Sequence, residues 1–308
     1  MKPNLIFALD VGGTFIKAAV LEDTCIIEDT ESQFDSRSNE DADSILNHFV
    51  SIIKSLSESY KTYKQETSKS FAHKTIGIGL AFPGPFDYEN GVSYIKGLNK
   101  FEALYGIAFR DELSKRLLHS EIFKATNRVK LLFENDGRLF GLGGSTLFPH
   151  QRVISLTIGT GLGSAFIENR KIIKHDKRVP KDGYLYNQIF NGKIVDDHFS
   201  RRGILQLAAN QNILGENIDV KELAEHAKEG NESAIALFQE FGANLGEMLI
   251  PFIEQFQPHQ IIIGGQIAKS FDLFGKNLEQ QVGFTGIKVT HLNNALRYTY
   301  VGISEIFK

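Results

Sequence analysis

The fold is decided by the stretch Leu9-Asp10-Val11-Gly12-Gly13-Thr14-Phe15-Ile16-Lys17. A shorter form of it returns about half a chain later as Thr157-Ile158-Gly159-Thr160-Gly161-Leu162-Gly163. Each copy lies between two short apolar runs rich in Ile, Val, Leu or Phe, which is the pattern of buried strands joined in a hairpin. The sequence therefore predicts a duplicated domain with one glycine-turn hairpin in each half.

Both glycine turns have the chemistry of a phosphate site. Glycine lets the backbone approach a ligand closely, and consecutive N–H groups form a concave nest for an anion. Thr14 and Thr160 add hydroxyl donors. A carboxylate at Asp10 would repel phosphates unless a cation lay between them, so Asp10 predicts Mg²⁺. A plain tight hairpin is the alternative for either copy alone, whereas two copies beside Asp10 favour a nucleotide site.

Two other phosphate motifs do not fit this sequence. The P-loop pattern G-x-x-x-x-G-K-S/T is absent. Gly159, Gly161 and Gly163 form G-x-G-x-G, but Ser164 stands where the dinucleotide fingerprint G-x-G-x-x-G requires its last glycine. An apolar strand then follows, whereas the fingerprint requires a helix.

Composition bounds the class of protein. The chain has 308 residues, enough for two domains, with 42% hydrophobic and 23% charged residues and a net charge of −3. No basic footprint for nucleic acid and no signal or membrane-spanning run is present, so we expect a cytoplasmic protein without nucleic-acid or membrane partners. Cys25 is the single cysteine, which excludes a cysteine-cluster zinc site, and we expect it to be an apolar filler near a strand end.

Apolar spacing predicts two α/β domains, at 1–124 and 125–294, with a last helix at 295–308 that packs back on the first domain. The other predicted elements are helices at about 43–60, 109–118, 137–145, 204–209, 220–228 and 233–255, and strands at 75–82, 129–133 and 261–263.

Glu134-Asn135-Asp136 follows a strand and precedes a helix, where ligands of open α/β sheets bind. Asp136 is thus a candidate general base, which would accept the proton of a substrate hydroxyl as that hydroxyl attacks the γ-phosphate of ATP. Its alternative role is the N-cap of the helix, and the two roles are compatible. Asn135 is placed to hold a neighbouring hydroxyl.

The order of motifs D-x-G-G-T-x-x-K, P-G-P-x-D, E-N-D, G-T-G-x-G and I-x-G-G resembles the ROK family of sugar kinases and repressors, within the actin and hexokinase superfamily. The resemblance covers Asp10 to Gln266. It implies an α/β fold with two ribonuclease-H-like domains of the actin-type ATPase kind around a central cleft. It also implies ATP-dependent phosphorylation of a sugar, with Asp136 matching the family's base.

The resemblance assigns site residues by their match to each motif. The residues that match the nucleotide motifs are Asp10, Gly12, Gly13, Thr14 and Lys17 in the first phosphate motif, Thr160, Gly161 and Gly163 in the second, and Gly264 and Gly265 in the adenosine motif. Gly84, in the Pro83-Gly84-Pro85 turn, is a further candidate for substrate contact.

The sugar pocket departs from the family pattern. The family's G-E-x-G-H is replaced by Gly183-Tyr184-Leu185-Tyr186-Asn187, and its cysteine-rich zinc site is absent. Tyr184 and Asn187 are candidates for contact with a sugar derivative, and a local core or a dimer contact is the alternative. Arg138 is a candidate for contact with an anionic substrate, and a surface arginine is the alternative.

Three functions stay open at this point. The first is a sugar kinase using ATP and Mg²⁺, without zinc, in carbohydrate metabolism. The second is a nucleotide-dependent sugar sensor without efficient turnover, and the third is a superfamily ATPase that acts on a partner protein. A homodimer is also left open.

Overall fold

The computed structural model describes residues 3–66, 75–118, 129–215 and 218–308. The chain forms two compact units. One comprises Met1–Leu139 with Thr299–Lys308, and the other comprises Phe140–Tyr298. The domain boundary predicted at 124/125 lies outside the described residues. The units divide later in the chain because the strand after that point pairs within the first sheet.

The first unit contains a five-stranded sheet in the order β3-β2-β1-β4-β7. Its strands, with a short two-stranded ribbon between β4 and β7, are β1 (Leu5–Val11), β2 (Phe15–Glu22), β3 (Cys25–Asp35), β4 (Ile76–Ala81), β5 (Phe86–Asp87), β6 (Val92–Ser93) and β7 (Val129–Glu134). Strands β1, β2 and β3 pair antiparallel, whereas β4 pairs parallel to β1 and β7 pairs parallel to β4.

The second unit repeats this arrangement in a sheet of order β10-β9-β8-β13-β14. Its strands, with a ribbon of β11 and β12, are β8 (Arg152–Ile158), β9 (Leu162–Glu168), β10 (Lys171–Ile172), β11 (Ile189–Phe190), β12 (Lys193–Ile194), β13 (Gln260–Gly264) and β14 (Lys288–His291). An antiparallel hairpin is again followed by two parallel pairings, as the repeated glycine turns predict.

The helices follow the apolar spacing of the sequence closely. In the described part of the chain, α-helices span α1 (Ala42–Glu66), α2 (Phe109–Leu118), α3 (Asp136–Gly144), α4 (Val195–His198), α5 (Arg201–Asn210), α6 (Val220–Lys228), α7 (Glu232–Phe256), α8 (Phe271–Val282) and α9 (Ala295–Glu305). Ile45, Phe49 and Ile52 of α1 are fully buried, which is what one apolar face of an amphipathic helix requires. None of these helices combines the length and apolar content needed to span a bilayer.

The edge strand β3 runs for 11 residues. It continues to Asp35 through polar residues that alternate in burial, because an edge strand with one solvated face tolerates them. Cys25 begins this strand and is exposed, so the expectation of an apolar filler is wrong.

The last helix packs against β4 of the first unit, and two glycines make room for it. A Cβ added at Gly77 would lie 2.9 Å from Phe307 Cε1, and one added at Gly79 would overlap Ile303 Cγ2. The glycines of this buried strand therefore serve the close approach of a helix.

We expect Gly79→Val to lower the free energy of unfolding by about 1–3 kcal/mol, because it overpacks the contact with Ile303. Urea unfolding measures the change, and Gly283→Val is the control, since no neighbour lies within 4 Å of a Cβ there. Ile303→Ala should cost less in the Gly79→Val protein than in the parent. Additive effects of the two substitutions would contradict this packing.

Candidate functional site

The first glycine turn joins β1 to β2, with Asp10 opposite Lys17 and Val11 opposite Ile16. The Gly12 N–H donates to the Phe15 carbonyl over 2.9 Å. A Cβ at Gly12 would lie 2.8 Å from that same oxygen. Gly12 is therefore required by the closure of the turn itself, independently of any ligand.

The amides of Gly13 and Thr14 have no acceptor within the described part of the chain, and Thr14 is exposed. The turn is held from behind by a serine clamp, formed by Ser36 and Ser38. Both hydroxyls donate to the Gly13 carbonyl, Ser36 over 2.5 Å and Ser38 over 2.7 Å. The Ser36 N–H donates to the Thr14 carbonyl over 2.9 Å. The clamp fixes the turn so that its outward amides can meet an anion.

Asp10 lies at the carboxyl end of β1, surrounded by protein, although part of its surface reaches solvent. Burial, and secondarily the negative charge of Asp136, raise the pKa of Asp10 to about 7, and Lys17 opposes the shift. A carboxyl group in this state gains strongly from a cation, as the predicted Mg²⁺ role requires. Tyr300 of α9 is buried nearby, and its burial together with the Asp10 charge raises the pKa of its hydroxyl.

The parallel strands β1, β4 and β7 place the predicted residues of the first unit at their carboxyl ends. Asp10 pairs with Ala81, and Ala81 pairs with Glu134. The Phe82 N–H donates to the Glu134 carbonyl over 3.0 Å, which ties the start of the turn containing Gly84 to the end of β7.

Asn135, not Asp136, caps helix α3. The Asn135 Oδ1 accepts from the Arg138 N–H over 3.2 Å, and the Asn135 carbonyl accepts from the Leu139 N–H over 2.9 Å. Asp136 is exposed in the first turn, where its Oδ1 accepts from the Gly137 N–H over 2.9 Å. The helix therefore does not depend on the Asp136 carboxylate for its cap, which leaves that carboxylate accessible to a substrate.

A buried ion pair supports this segment. The Glu134 Oε1 accepts from Arg138 Nη1 over 3.1 Å and from the Asn135 N–H over 2.9 Å. Arg138 is 3% exposed. Neither expected role of Arg138, an anionic-substrate contact or a surface residue, is therefore correct. Glu134 ends β7 and Arg138 lies in α3, so the helical i, i+4 rule could not indicate this pair from the sequence.

The second glycine turn, in the second unit, is held by a carboxylate that the motifs did not indicate. The Gly159 N–H donates to the Gly161 carbonyl over 3.0 Å, and the Leu162 N–H donates to Asp196 Oδ1 over 2.6 Å. Thr160 and Gly161 are exposed. Gly163 lies in the hairpin ladder opposite Thr157. Thr160 and Gly161 are thus the part of this turn that faces outward.

Gly264 ends β13 and Gly265 follows it, and both have structural reasons to be glycine. A Cβ at Gly264 would overlap the Phe140 ring. Gly265 has a φ of 101°, and a Cβ there would overlap the Ile158 backbone. Packing therefore accounts for both glycines, and an adenosine contact at this strand end stays a prediction.

The segment that replaces the family's sugar motif is ordered by its neighbours. The Tyr184 and Tyr186 rings meet edge to face with centroids 5.4 Å apart. Leu185 is buried, and its N–H donates to Ser164 Oγ over 2.9 Å. Asn187 is exposed, and its Oδ1 accepts from Gln188 Nε2 over 3.0 Å. The exposed polar groups and ring faces of this segment can contact a ligand.

The predicted residues thus form two sets. Asp10, Gly12, Gly13, Thr14, Lys17, Gly84, Asn135 and Asp136 belong to the first unit, and Thr160, Gly161, Gly163, Tyr184, Asn187, Gly264 and Gly265 belong to the second. Within the described ranges, no three His, Cys, Asp or Glu side chains cluster so that they could hold a metal ion by themselves.

A model of the ROK family matches residues 6–289 of this chain. The chain belongs to the ROK family. An N-acetyl-D-glucosamine kinase from Haemophilus influenzae is 25% identical over 296 residues, which cover 87% of this chain and 86% of that protein.

Solved structures share the fold along nearly the whole chain. A glucokinase from Parabacteroides distasonis has a TM-score of 0.73 and 21% identity, covering 99% of this chain and 98% of that one. A ROK family glucokinase from Streptomyces griseus, solved with glucose and AMPPNP, has a TM-score of 0.69 and 18% identity, covering 98% of each chain. The predicted fold class, two α/β units of the actin type, is confirmed.

We expect Asp10 to make the free energy of unfolding fall as pH rises from about 4 to about 7. The folded protein keeps the Asp10 proton up to pH about 7, whereas the unfolded chain loses it near 3.8, so ionisation favours unfolding in this window. Asp10→Asn removes this contribution, and its stability relative to the parent should be greater at about pH 8 than at about pH 5. Urea unfolding without nucleotide or divalent cation measures it. An unchanged pH dependence in Asp10→Asn would remove the assignment.

Proposed function

We propose that this protein transfers the γ-phosphoryl group of ATP to a hydroxyl group of a sugar or sugar derivative. The enzyme class, an ATP-dependent carbohydrate kinase, is supported by membership of the ROK family and by a relative named for N-acetylglucosamine phosphorylation. A neighbour solved with glucose and AMPPNP supports it further. A cytoplasmic location belongs to this proposal, because ATP is its co-substrate.

One observation carries the assignment of the base. Asp136 presents an exposed carboxylate at the carboxyl ends of the parallel strands, where Asp10 and the first glycine turn also lie. Asn135, and not Asp136, caps α3. Asp136 is therefore able to accept a proton without loss of the helix cap.

The reaction requires few groups. The oxygen of the substrate hydroxyl attacks the γ-phosphorus, the bond to the β,γ-bridging oxygen breaks, and the hydroxyl proton passes to Asp136. Asn135 would orient a neighbouring hydroxyl through its amide nitrogen, since its Oδ1 serves the cap. Correct placement of the two reactants supplies much of the rate enhancement in such transfers.

In the first unit, the amides of Gly13 and Thr14 are assigned to the phosphates of ATP. In the second unit, Thr160 and Gly161 stay candidates for a phosphate contact through their match to the family's second phosphate motif. Asp10 would hold Mg²⁺, and bound Mg²⁺ would offset the negative charge of the phosphates. The raised pKa of Asp10 fits this role, because a cation would favour its ionised form. Zinc has no part in the proposal, since Cys25 is the only cysteine.

The direct experiment is an ADP-release assay with MgATP across hexoses, amino sugars, N-acyl sugars and glycosides. Phosphorylation of at least one of them supports the kinase. Sugar and ATP binding by calorimetry without ADP release would instead favour a sensor, and ADP release that depends on a protein partner would favour the third function.

We expect Asp136→Asn to lower kcat by about 10²–10⁴-fold while the Kd for ATP stays nearly unchanged, because only the proton acceptor is lost. Steady-state kinetics and calorimetry measure the two quantities. Asp111→Asn is the matched control, since Asp111 is also an exposed aspartate in the first turn of a helix of the same unit. Near-normal turnover in Asp136→Asn would exclude this base.

We expect glucose to be a poor substrate compared with an N-acyl sugar or a glycoside. A tyrosine offers a flat apolar face and one hydroxyl, so it stacks on a ring instead of gripping two hydroxyls. Tyr184→Ala and Asn187→Ala should raise KM for the preferred sugar and leave KM for ATP unchanged. Ile189→Ala is the control, because Ile189 is 71% exposed in the same segment. Efficient glucose phosphorylation that neither substitution affects would give this segment a structural role only.

A further inference from the structure

A lysine outside the family motifs lies against the first glycine turn. A Cβ placed on Gly13 would be 3.0 Å from Lys100 Cδ, 3.7 Å from its Cβ and 4.0 Å from its Cγ. The aliphatic stem of Lys100 therefore runs along the Cα of Gly13, and its ammonium group lies two bonds beyond the closest carbon. The Lys100 side chain thus packs against the first glycine turn, and its ammonium group is within reach of the turn.

The backbone fixes Lys100 in this place. Its two neighbours, Asn99 and Phe101, have left-handed backbone with φ of 52° and 54°. The Asn99 N–H donates to Glu102 Oε1 over 2.8 Å, and the Phe101 side chain is fully buried. A short segment with two such residues is held by its surroundings, because left-handed backbone is disfavoured for residues other than glycine.

Ser38 links this segment to the turn. Its carbonyl accepts from the Phe101 N–H over 2.6 Å, and its hydroxyl donates to the Gly13 carbonyl over 2.7 Å. One residue of the serine clamp therefore sets the position of Lys100 relative to Gly13. The backbone position of Lys100 beside the turn is therefore part of the fold.

No described residue supplies an anionic partner for Lys100. The side chain is half-buried, and no ion pair within the described residues involves it. Lys96, four residues earlier, differs because it is exposed and its ammonium lies 5.7 Å from the Tyr105 ring centroid. A phosphoryl oxygen at the first turn would satisfy both the free amides and the Lys100 ammonium.

We propose that Lys100 is a phosphate-binding residue of the first glycine turn, whose ammonium group binds a phosphoryl group held by Gly13 and Thr14. The inference rests on the proposed function in taking ATP as the first ligand to test. The same chemistry would serve the phosphoryl group of a sugar phosphate, so the experiment includes both sources.

The test uses the full chain and three variants. Lys100→Met keeps the stem over Gly13 and removes the charge, Lys100→Arg keeps the charge, and Lys96→Met is the matched control from the same segment. Calorimetry measures the Kd of MgATP, MgADP, adenosine and glucose 6-phosphate for each protein, and thermal unfolding checks that each is folded.

We expect Lys100→Met to raise the Kd of MgATP or of glucose 6-phosphate on the order of 10- to 100-fold, as the loss of a charge-assisted hydrogen bond would. The phosphorylated ligand that is affected identifies the source of the phosphoryl group. Adenosine should bind equally to all variants, Lys100→Arg should restore most of the affinity, and Lys96→Met should match the parent.

Parent-like binding of every phosphorylated ligand by Lys100→Met would overturn the inference, and so would an equal loss of adenosine binding, which indicates a structural role. These readouts need no turnover. ATP binding that depends on Lys100, without phosphorylation of any sugar, would support the role of Lys100 and contradict the kinase function. A parent protein that binds no phosphorylated ligand would contradict both.

Discussion

The parallel hydrogen-bond ladder of β1, β4 and β7 is the constraint on which the first unit depends. Because parallel strands end at the same edge of a sheet, the register that pairs Asp10 with Ala81 and Ala81 with Glu134 fixes where all three following loops begin. Residues separated by more than a hundred positions in the sequence are thereby brought within electrostatic range. The effect of Asp136 on the pKa of Asp10 is a direct expression of that geometry.

The glycines of the site serve both folding and the proposed ligand. Gly12 and Gly265 are demanded by backbone oxygens that a Cβ would strike, and Gly264 by the Phe140 ring. A glycine motif in a sequence therefore does not by itself prove a ligand, because closure of the turn gives sufficient reason for it. The stronger indication lies in groups that local structure does not use, such as the amides of Gly13 and Thr14 in the described chain.

Much of the fold could be predicted because short apolar runs and helical spacing report burial directly. Helix α2 and helix α6 begin and end where their sequences predict. Apolar patterns report burial, but they do not report the partners of polar residues. The serine clamp of Ser36 and Ser38 follows β3, and it depends on the Gly13 carbonyl, more than twenty residues away in the sequence. The sequence likewise does not show that Arg138 is buried, where it pairs with Glu134.

Tertiary contacts also decide how neighbouring polar residues divide their roles. Asn and Asp are nearly equal as helix caps, so the sequence alone could not tell which of Asn135 and Asp136 caps α3. The buried pair of Glu134 and Arg138 settles the matter, because Glu134 also accepts the Asn135 N–H and Arg138 supplies the N–H that Asn135 caps. Removing either ionised partner would leave a buried charge alone, at a cost of about 3–5 kcal/mol. The pair therefore holds Asn135 in the cap and leaves the Asp136 carboxylate exposed just beyond the carboxyl end of β7.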